Sequence, residues 1–369
     1  MVNDGLRKVF EAEGVGLIEP SAGAEYLVKE LSRKVKRATP VEVVVLAPGA
    51  SNKELTRPIL SLEPVAVLES SSDKVPAPMP AADSDWHPVM ARSISVSELP
   101  CLASHVIKGK AVLPAALMSE LLAHGALHEN PGEKLGGFLD FQVLKGVTLD
   151  ASESTELRVE TGGPVREDGY SLVPMRLVSE QQGKVVAHAQ GQMLLGNPGN
   201  PGEAKPSILT TFTEDSRGPG ALYHPEALFH LKHFQGILSM IGCDQEGFAA
   251  RVSTAPKPRE WVANPWRSRW VTDPLVIDCI YQLMIVWSLQ QNDAPCLPSK
   301  VELYEQFSSY PKGEVEIRAR ITKAARRAVV ADIEILGAEG EVVARMKACQ
   351  STVASSLKAA FRENVLASA

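Results

Sequence analysis

The segment DPLVIDCIYQLMIVWSLQQ, residues 273–291, is apolar on nearly every face if it forms a helix. Such a helix cannot lie on a surface and has to be wrapped on all sides. Four runs with strand character follow it: SKVELYEQF, EVEIRARIT, AVVADIEILG and EVVARMKACQSTVA. Upstream, PAALMSELLAHGALHE predicts a second apolar helix, with Pro114 in its first turn, where a missing N–H costs nothing. It too precedes four runs: GGFLDFQVLKGVTL, TELRVET, YSLVPMRLVS and KVVAHAQGQMLL. One plan therefore occurs twice, at a spacing of roughly 120–150 residues: extended segment, apolar helix, four strands.

A lone helix followed by an antiparallel meander is buried most simply by wrapping the sheet around it. Two such units side by side make an α+β chain with a tandem (double) hotdog fold. The expected boundaries are 85–198 and 208–354, joined by a linker at 199–207 within the turn-forming stretch GNPGNPGEAKPS. Residues 1–49 read as a small helix–strand unit, and 50–84 as a Pro/Ser/Ala-rich linker. Residues 355–369 read as a tail in which SSLKAAFRENVLA predicts a helix leaving the domain.

Composition removes several classes. The 44 acidic and 38 basic residues give a net charge of -6, which argues against a nucleic-acid partner. No window approaches the ~18 apolar residues of a membrane span, and MVNDGLRKVF lacks the apolar core of a signal peptide. Five scattered cysteines, never in a C-x-x-C pair, predict a reduced, cytoplasmic protein without disulfides.

Two polar residues stand where chemistry is expected. Asp278 sits inside the all-apolar helix, with Gln282 one turn on and on the same face. A buried carboxylate is costly unless it is paired, bonded or protonated. One reading is an Asp that satisfies amides at the helix start; the other is an acid held protonated and able to donate, with Gln282 orienting it. His105 lies in SHVIKGKAVLP, four residues before Gly109 and nine before Pro114. Gly109 permits φ > 0 or close backbone approach. The helix opened at Pro114 offers amides to an acyl oxygen, and an imidazole beside it is a candidate general base.

Other signals are weaker. REWVANPWRSRWVTD interleaves Trp261, Trp266 and Trp270 with arginines and reads as a loop over a site mouth. The Lys323–Arg327 cluster reads as a solvated hairpin turn, with docking of an acidic carrier as its functional alternative. His124 and His128 stand at zinc-compatible spacing without a third ligand and read as helix-end residues. His188, His224 and His233 read as structural or exposed. Neither G-x-S-x-G nor G-x-x-x-x-G-K-[ST] occurs.

His105, Gly109 and Pro114 fit H-x-x-x-G-x-x-x-x-P, and Asp278 with Gln282 fits D-x-x-x-Q/H. Together with LPSKVELY and ALFHLKHFQGI, they make residues 85–354 resemble the dehydratase domains of type I polyketide and polyunsaturated fatty-acid synthases. The resemblance implies dehydration of a β-hydroxyacyl thioester to the enoyl thioester. His105 would be the base, Asp278 the acid, and Gln282 the residue that positions Asp278. It implies substrate contacts from Gly109, Pro114, His230 and Phe234. It implies no metal and no nicotinamide, the acyl chain riding on the phosphopantetheine arm of an acyl carrier protein. Arg267 is a candidate for the phosphate of that arm. Neighbouring synthase domains are the implied partners, and a homodimer is implied by analogy.

The segment VFEAEGVGLIEPSAGAEYLVKEL with VEVVVLAPG resembles the end of a ketoreductase domain, whose product a dehydratase would consume. One departure stands out. The family's Tyr-Gly-Pro or His-Gly-Pro element corresponds to His230, Leu231 and Lys232, so the Gly and Pro are absent. Two alternatives stay open: a non-catalytic domain that binds acyl chains, and a double-bond isomerase or product-shaping domain using the same His and Asp.

Overall fold

Extended segments with one buried face and two helices buried over most of their length divide the chain into sheet and wrapped core. The computed structural model describes residues 86–167, 170–196, 205–208 and 212–367. The ketoreductase-like unit expected at 1–49 and the linker at 50–84 lie outside the described residues, as does most of 199–207.

The first half runs β1 (His87–Ser95), β2 (Val106–Ile107), β3 (Lys110–Val112), helix α1 (Ala115–Glu129), β4 (Leu135–Val143), β5 (Thr148–Leu149), β6 (Ser154–Thr161), β7 (Val165–Glu167), β8 (Tyr170–Gln181) and β9 (Lys184–Gly196). The second half runs β10 (Ile237–Cys243), β11 (Gly247–Ser253), α2 (Pro274–Asn292), β12 (Cys296–Gln306), β13 (Glu314–Ala325), β14 (Ala328–Leu336), β15 (Val342–Val353) and α3 (Leu357–Arg362). The strands form one sheet in the order β1-β6-β8-β9-β4-β12-β15-β14-β13-β11-β10, with β7 beside β8. β2, β3 and β5 form a small separate sheet. α1 packs on the β1–β9 side and α2 on β11, β12 and β15, which is the tandem hotdog arrangement.

The sheet is continuous because β4 pairs with β12 in antiparallel register, from Gln142 opposite Lys300 to Gly137 opposite Glu305. Gly137 is required there, since a Cβ would overlap the Tyr304 carbonyl. α2 begins at Asp273, whose side chain accepts from the amides of Leu275 and Val276. It ends at Asp293 in the left-handed region, φ 50°. Ile277, Cys279, Ile280 and Leu283 along it are fully buried. Burying an aliphatic side chain of that size contributes about 1.5–3 kcal/mol.

Three expectations are corrected. The tail helix does not leave the domain: α3 turns back because Ala360 and Phe361 are apolar, and Phe361 packs on Phe229 with ring centres 4.5 Å apart. HFQGILSMIG is not extended from its start. Lys232–Phe234 forms a 3-10 turn, and β10 begins only at Ile237. Gly236 between them lets the chain graze α2, where a Cβ would collide with Cys279 and Leu275. His124 is no helix-end residue but lies buried within α1, bonded to Glu120. The five cysteines are buried and free, and no described helix is long and apolar enough to cross a membrane.

Candidate active site

A short 3-10 turn, Pro100–Ser104, delivers His105 to the entrance of the β2–β3 hairpin. Lys108 and Gly109 form its two-residue turn, both with positive φ, 53° and 69°. This is the primed turn geometry that favours glycine. The hairpin returns Val112 beneath the imidazole, and His105 Nδ1 donates to the Val112 carbonyl at 2.8 Å. A carbonyl only accepts, so Nδ1 carries the proton and Nε2 presents a lone pair. That lone pair faces Asp278, with Nε2 4.0 Å from Oδ1.

Asp278 lies in the second turn of α2, and Asp273 already caps the helix amides. The structural reading of Asp278 as a capping residue therefore fails. Its Oδ2 accepts from Gln282 Nε2 at 2.7 Å, while the same amide group donates to the Phe234 carbonyl at 2.8 Å. Gln282 Oε1 accepts from the Tyr223 hydroxyl at 2.8 Å, and that hydroxyl accepts from the Ile237 amide at 2.8 Å. This chain of bonds fixes the carboxyl orientation. Tyr223 was not apparent from the sequence, because only the fold brings residue 223 against 282.

Burial sets the protonation states. It pushes His105 down to about 4, against the opposing bond to Val112. It pushes Asp278 up to about 7, against the opposing bond from Gln282. At neutral pH the imidazole is a free base and the carboxyl still holds much of its proton, a division of labour suited to acid–base chemistry.

His230 joins the pair, its Nε2 3.5 Å from Asp278 Oδ2. Burial, and then the neighbouring His105, hold it well below the ordinary histidine range. Among the described residues, its Nδ1 is buried without a hydrogen-bond partner. Phe229 stacks on His230 at 3.9 Å, and Phe234 meets the His105 ring at 5.3 Å. His230 and Phe234, expected to line the substrate, thus stand at the pair itself.

The other expected contacts, Gly109, Pro114 and Arg267, are held by neighbouring elements. Pro114 is the cap residue of α1, one position before the helix. Gly109 bonds to the tail: its amide donates to the Glu363 carbonyl at 2.8 Å, and its carbonyl accepts from Ala367 at 2.9 Å. Arg267 lines a narrow apolar cleft with Leu99, Leu117, Trp266 and Trp270. From that cleft, Trp270 packs on Trp261 at 5.8 Å and Trp261 on Phe234 at 4.7 Å, an aromatic path to the site. A larger surface cleft, lined by Asp215, Arg217, Cys243 and Arg362 among others, contains none of the acid–base residues. Chemistry rather than cavity size locates the site.

Glu120, a further residue the sequence did not single out, ties the halves together. Its carboxylate accepts from His124 Nε2 at 2.9 Å and from the amides of Val271 and Thr272 at 2.6 and 2.8 Å. It thereby links α1 to the segment that leads into α2. As for ligand capacity, His105, His230 and Asp278 are the three groups that converge closely enough to hold an ion among the described residues.

His105 and Asp278 are thus brought together from the two halves of a double hotdog. Residues 218–360 match the family model of the polyketide synthase dehydratase N-terminal domain. Over that stretch the chain is similar to the polyketide synthase dehydratases. The chain is 25% identical over 312 residues to one component of the polyunsaturated fatty acid synthase of Thraustochytrium sp. (strain ATCC 26185 / S-3), covering 85% of this chain and 10% of that protein. The chain thus spans about a tenth of that relative's length. Its fold is similar to the dehydratase domain from the CurF module of curacin polyketide synthase, with TM-score 0.59, 17% identity, and 74% and 96% of the two chains covered. It is similar too to a trans-AT polyketide synthase dehydratase domain from Brevibacillus brevis, with TM-score 0.58, 17% identity, and 72% and 93% covered.

Proposed function

We propose that this domain removes water from a β-hydroxyacyl thioester to give the enoyl thioester, the acyl chain being carried on the phosphopantetheine arm of an acyl carrier protein. The observation that carries the reading is the pairing of a free His105 Nε2 with a proton-holding Asp278 at 4.0 Å. His105 Nε2 takes the proton from the carbon α to the thioester carbonyl. The electron pair forms the α–β double bond, the β C–O bond breaks, and Asp278 protonates the departing hydroxyl as water. Each proton transfer by a positioned group is worth about 10²–10⁴-fold in rate. Gln282 keeps the acid in line, and Phe229 and Phe234 keep bulk water from the pair. The Arg267 side chain, exposed at the rim of the aromatic cleft, is suited to the phosphate of the arm. Arg267→Ala should weaken carrier-bound substrates more than small thioester mimics, and an equal effect on both would refute that role.

The test is turnover of short 3-hydroxyacyl and enoyl pantetheine thioesters, followed by mass spectrometry, in wild type, His105→Ala and Asp278→Asn. We expect both substitutions to cut turnover by about 10²–10⁴-fold while the fold persists. No turnover by wild type in either direction, even with a carrier-bound chain, would favour a non-catalytic acyl-binding domain. A double-bond shift without hydration would favour an isomerase.

A further inference from the structure

His230 has no part in the two proton transfers above. It is nevertheless buried at the reacting pair, with one nitrogen facing Asp278 and the other unbonded. Buried polar atoms are nearly always partnered, so a histidine left this way needs a reason. The donor atoms of His105, His230 and Asp278 all lie within 4.8 Å of one another.

We propose that these three residues form a binding site for a transition-metal ion of the Zn²⁺ class, which blocks the acid–base pair when it binds. Two imidazole nitrogens and one carboxylate oxygen are a donor set suited to zinc, cobalt and nickel; calcium and magnesium require oxygen ligands. With metal–ligand bonds of about 2.0–2.1 Å, ligand atoms at a tetrahedral centre stand roughly 3.3–3.4 Å apart. His230 Nε2 stands 3.5 Å from Oδ2 and His105 Nε2 4.0 Å from Oδ1 of the same carboxylate, so binding through one oxygen requires the carboxyl to turn and the three donors, now within 4.8 Å, to draw in by up to about 1.5 Å. The second layer of a metal site is present for two of the three ligands. Val112 holds the His105 Nδ1 proton, so that Nε2 faces inward, and Gln282 orients the carboxylate. Three protein ligands leave a fourth position for water.

An ion there occupies the lone pair of the base and the carboxylate of the acid at once. Binding itself is independent of the reaction proposed above; only the block rests on that reading. The experiment titrates chelator-treated, full-length protein with Co²⁺, following visible absorption, and with Zn²⁺, by calorimetry. We expect one ion per chain with the intense absorption of a four-coordinate site. His230→Ala and Asp278→Asn should each weaken binding by at least roughly 10- to 100-fold, as loss of even an outer partner does elsewhere. His128→Ala, at an exposed position of α1, should leave it unchanged. Circular dichroism of each variant separates ligand loss from unfolding. Absence of stoichiometric Co²⁺ binding in wild type, or binding undiminished in folded His230→Ala, would overturn the site. Zn²⁺ that binds at this site without slowing an active enzyme would overturn the block alone.

Discussion

Asp278 and His105 titrate in opposite directions from their ordinary values, and two pH effects follow. The dehydration proposed above needs His105 free and Asp278 protonated. The rate should rise as His105 loses its proton near 4 and fall as Asp278 loses its own near 7. A kcat/KM profile that stays flat from pH 6 to 9 would remove Asp278 as the acid. Stability follows the same groups. The fold keeps the Asp278 proton up to about 7, whereas the ordinary value is 3.8, so its contribution is lost as pH rises between them. The contribution of His105 is present above 6.5 and is lost as pH falls towards 4. Asp278→Asn should therefore be more stable than wild type at pH 8, by an amount on the order of a few kcal/mol, and the gap should close near pH 4 in urea melts. Asp278 was legible because it is polar within an apolar run, and His105 because of its spacing to Gly109 and Pro114. The contact between His230 and Asp278 was not, since it depends on how residues 229–236 turn, and no periodicity records that.

At the scale of elements, α1 and α2 were legible from their unbroken apolar runs, and the strands from their alternation. The clamp between the helices was not, because Glu120 looks like one more charge in SELLAHG until the fold buries it. Burial opposes its charge, yet the bonds from His124, Thr272 and Val271 hold its carboxyl below the ordinary range. Glu120→Gln keeps the shape and loses the charge. It should cost about 1.5–3 kcal/mol in denaturant melts and lower kcat, because the approach to α2 loosens. Unchanged stability would mean that the neutral amide serves the Val271 and Thr272 amides equally well.

At the scale of the molecule, His105 and Asp278 belong to different hotdogs, and the β4–β12 seam and the tail hold them in register. Gly137→Ala places a methyl group against the Tyr304 carbonyl in that seam. It should cost about 1–3 kcal/mol and lower turnover; wild-type melting and kinetics would show that the seam tolerates the change. The tail acts from the other side, through backbone bonds from Lys108 and Gly109 to Ala360 and Glu363. A ribosome releases His105 early, the helix carrying Asp278 much later, and the residues that close the hairpin after both. The nascent domain thus acquires its acid–base pair only near the end of its own synthesis. A half-made chain would have His105 with no carboxyl opposite it, and so none of the chemistry proposed for the pair ahead of time.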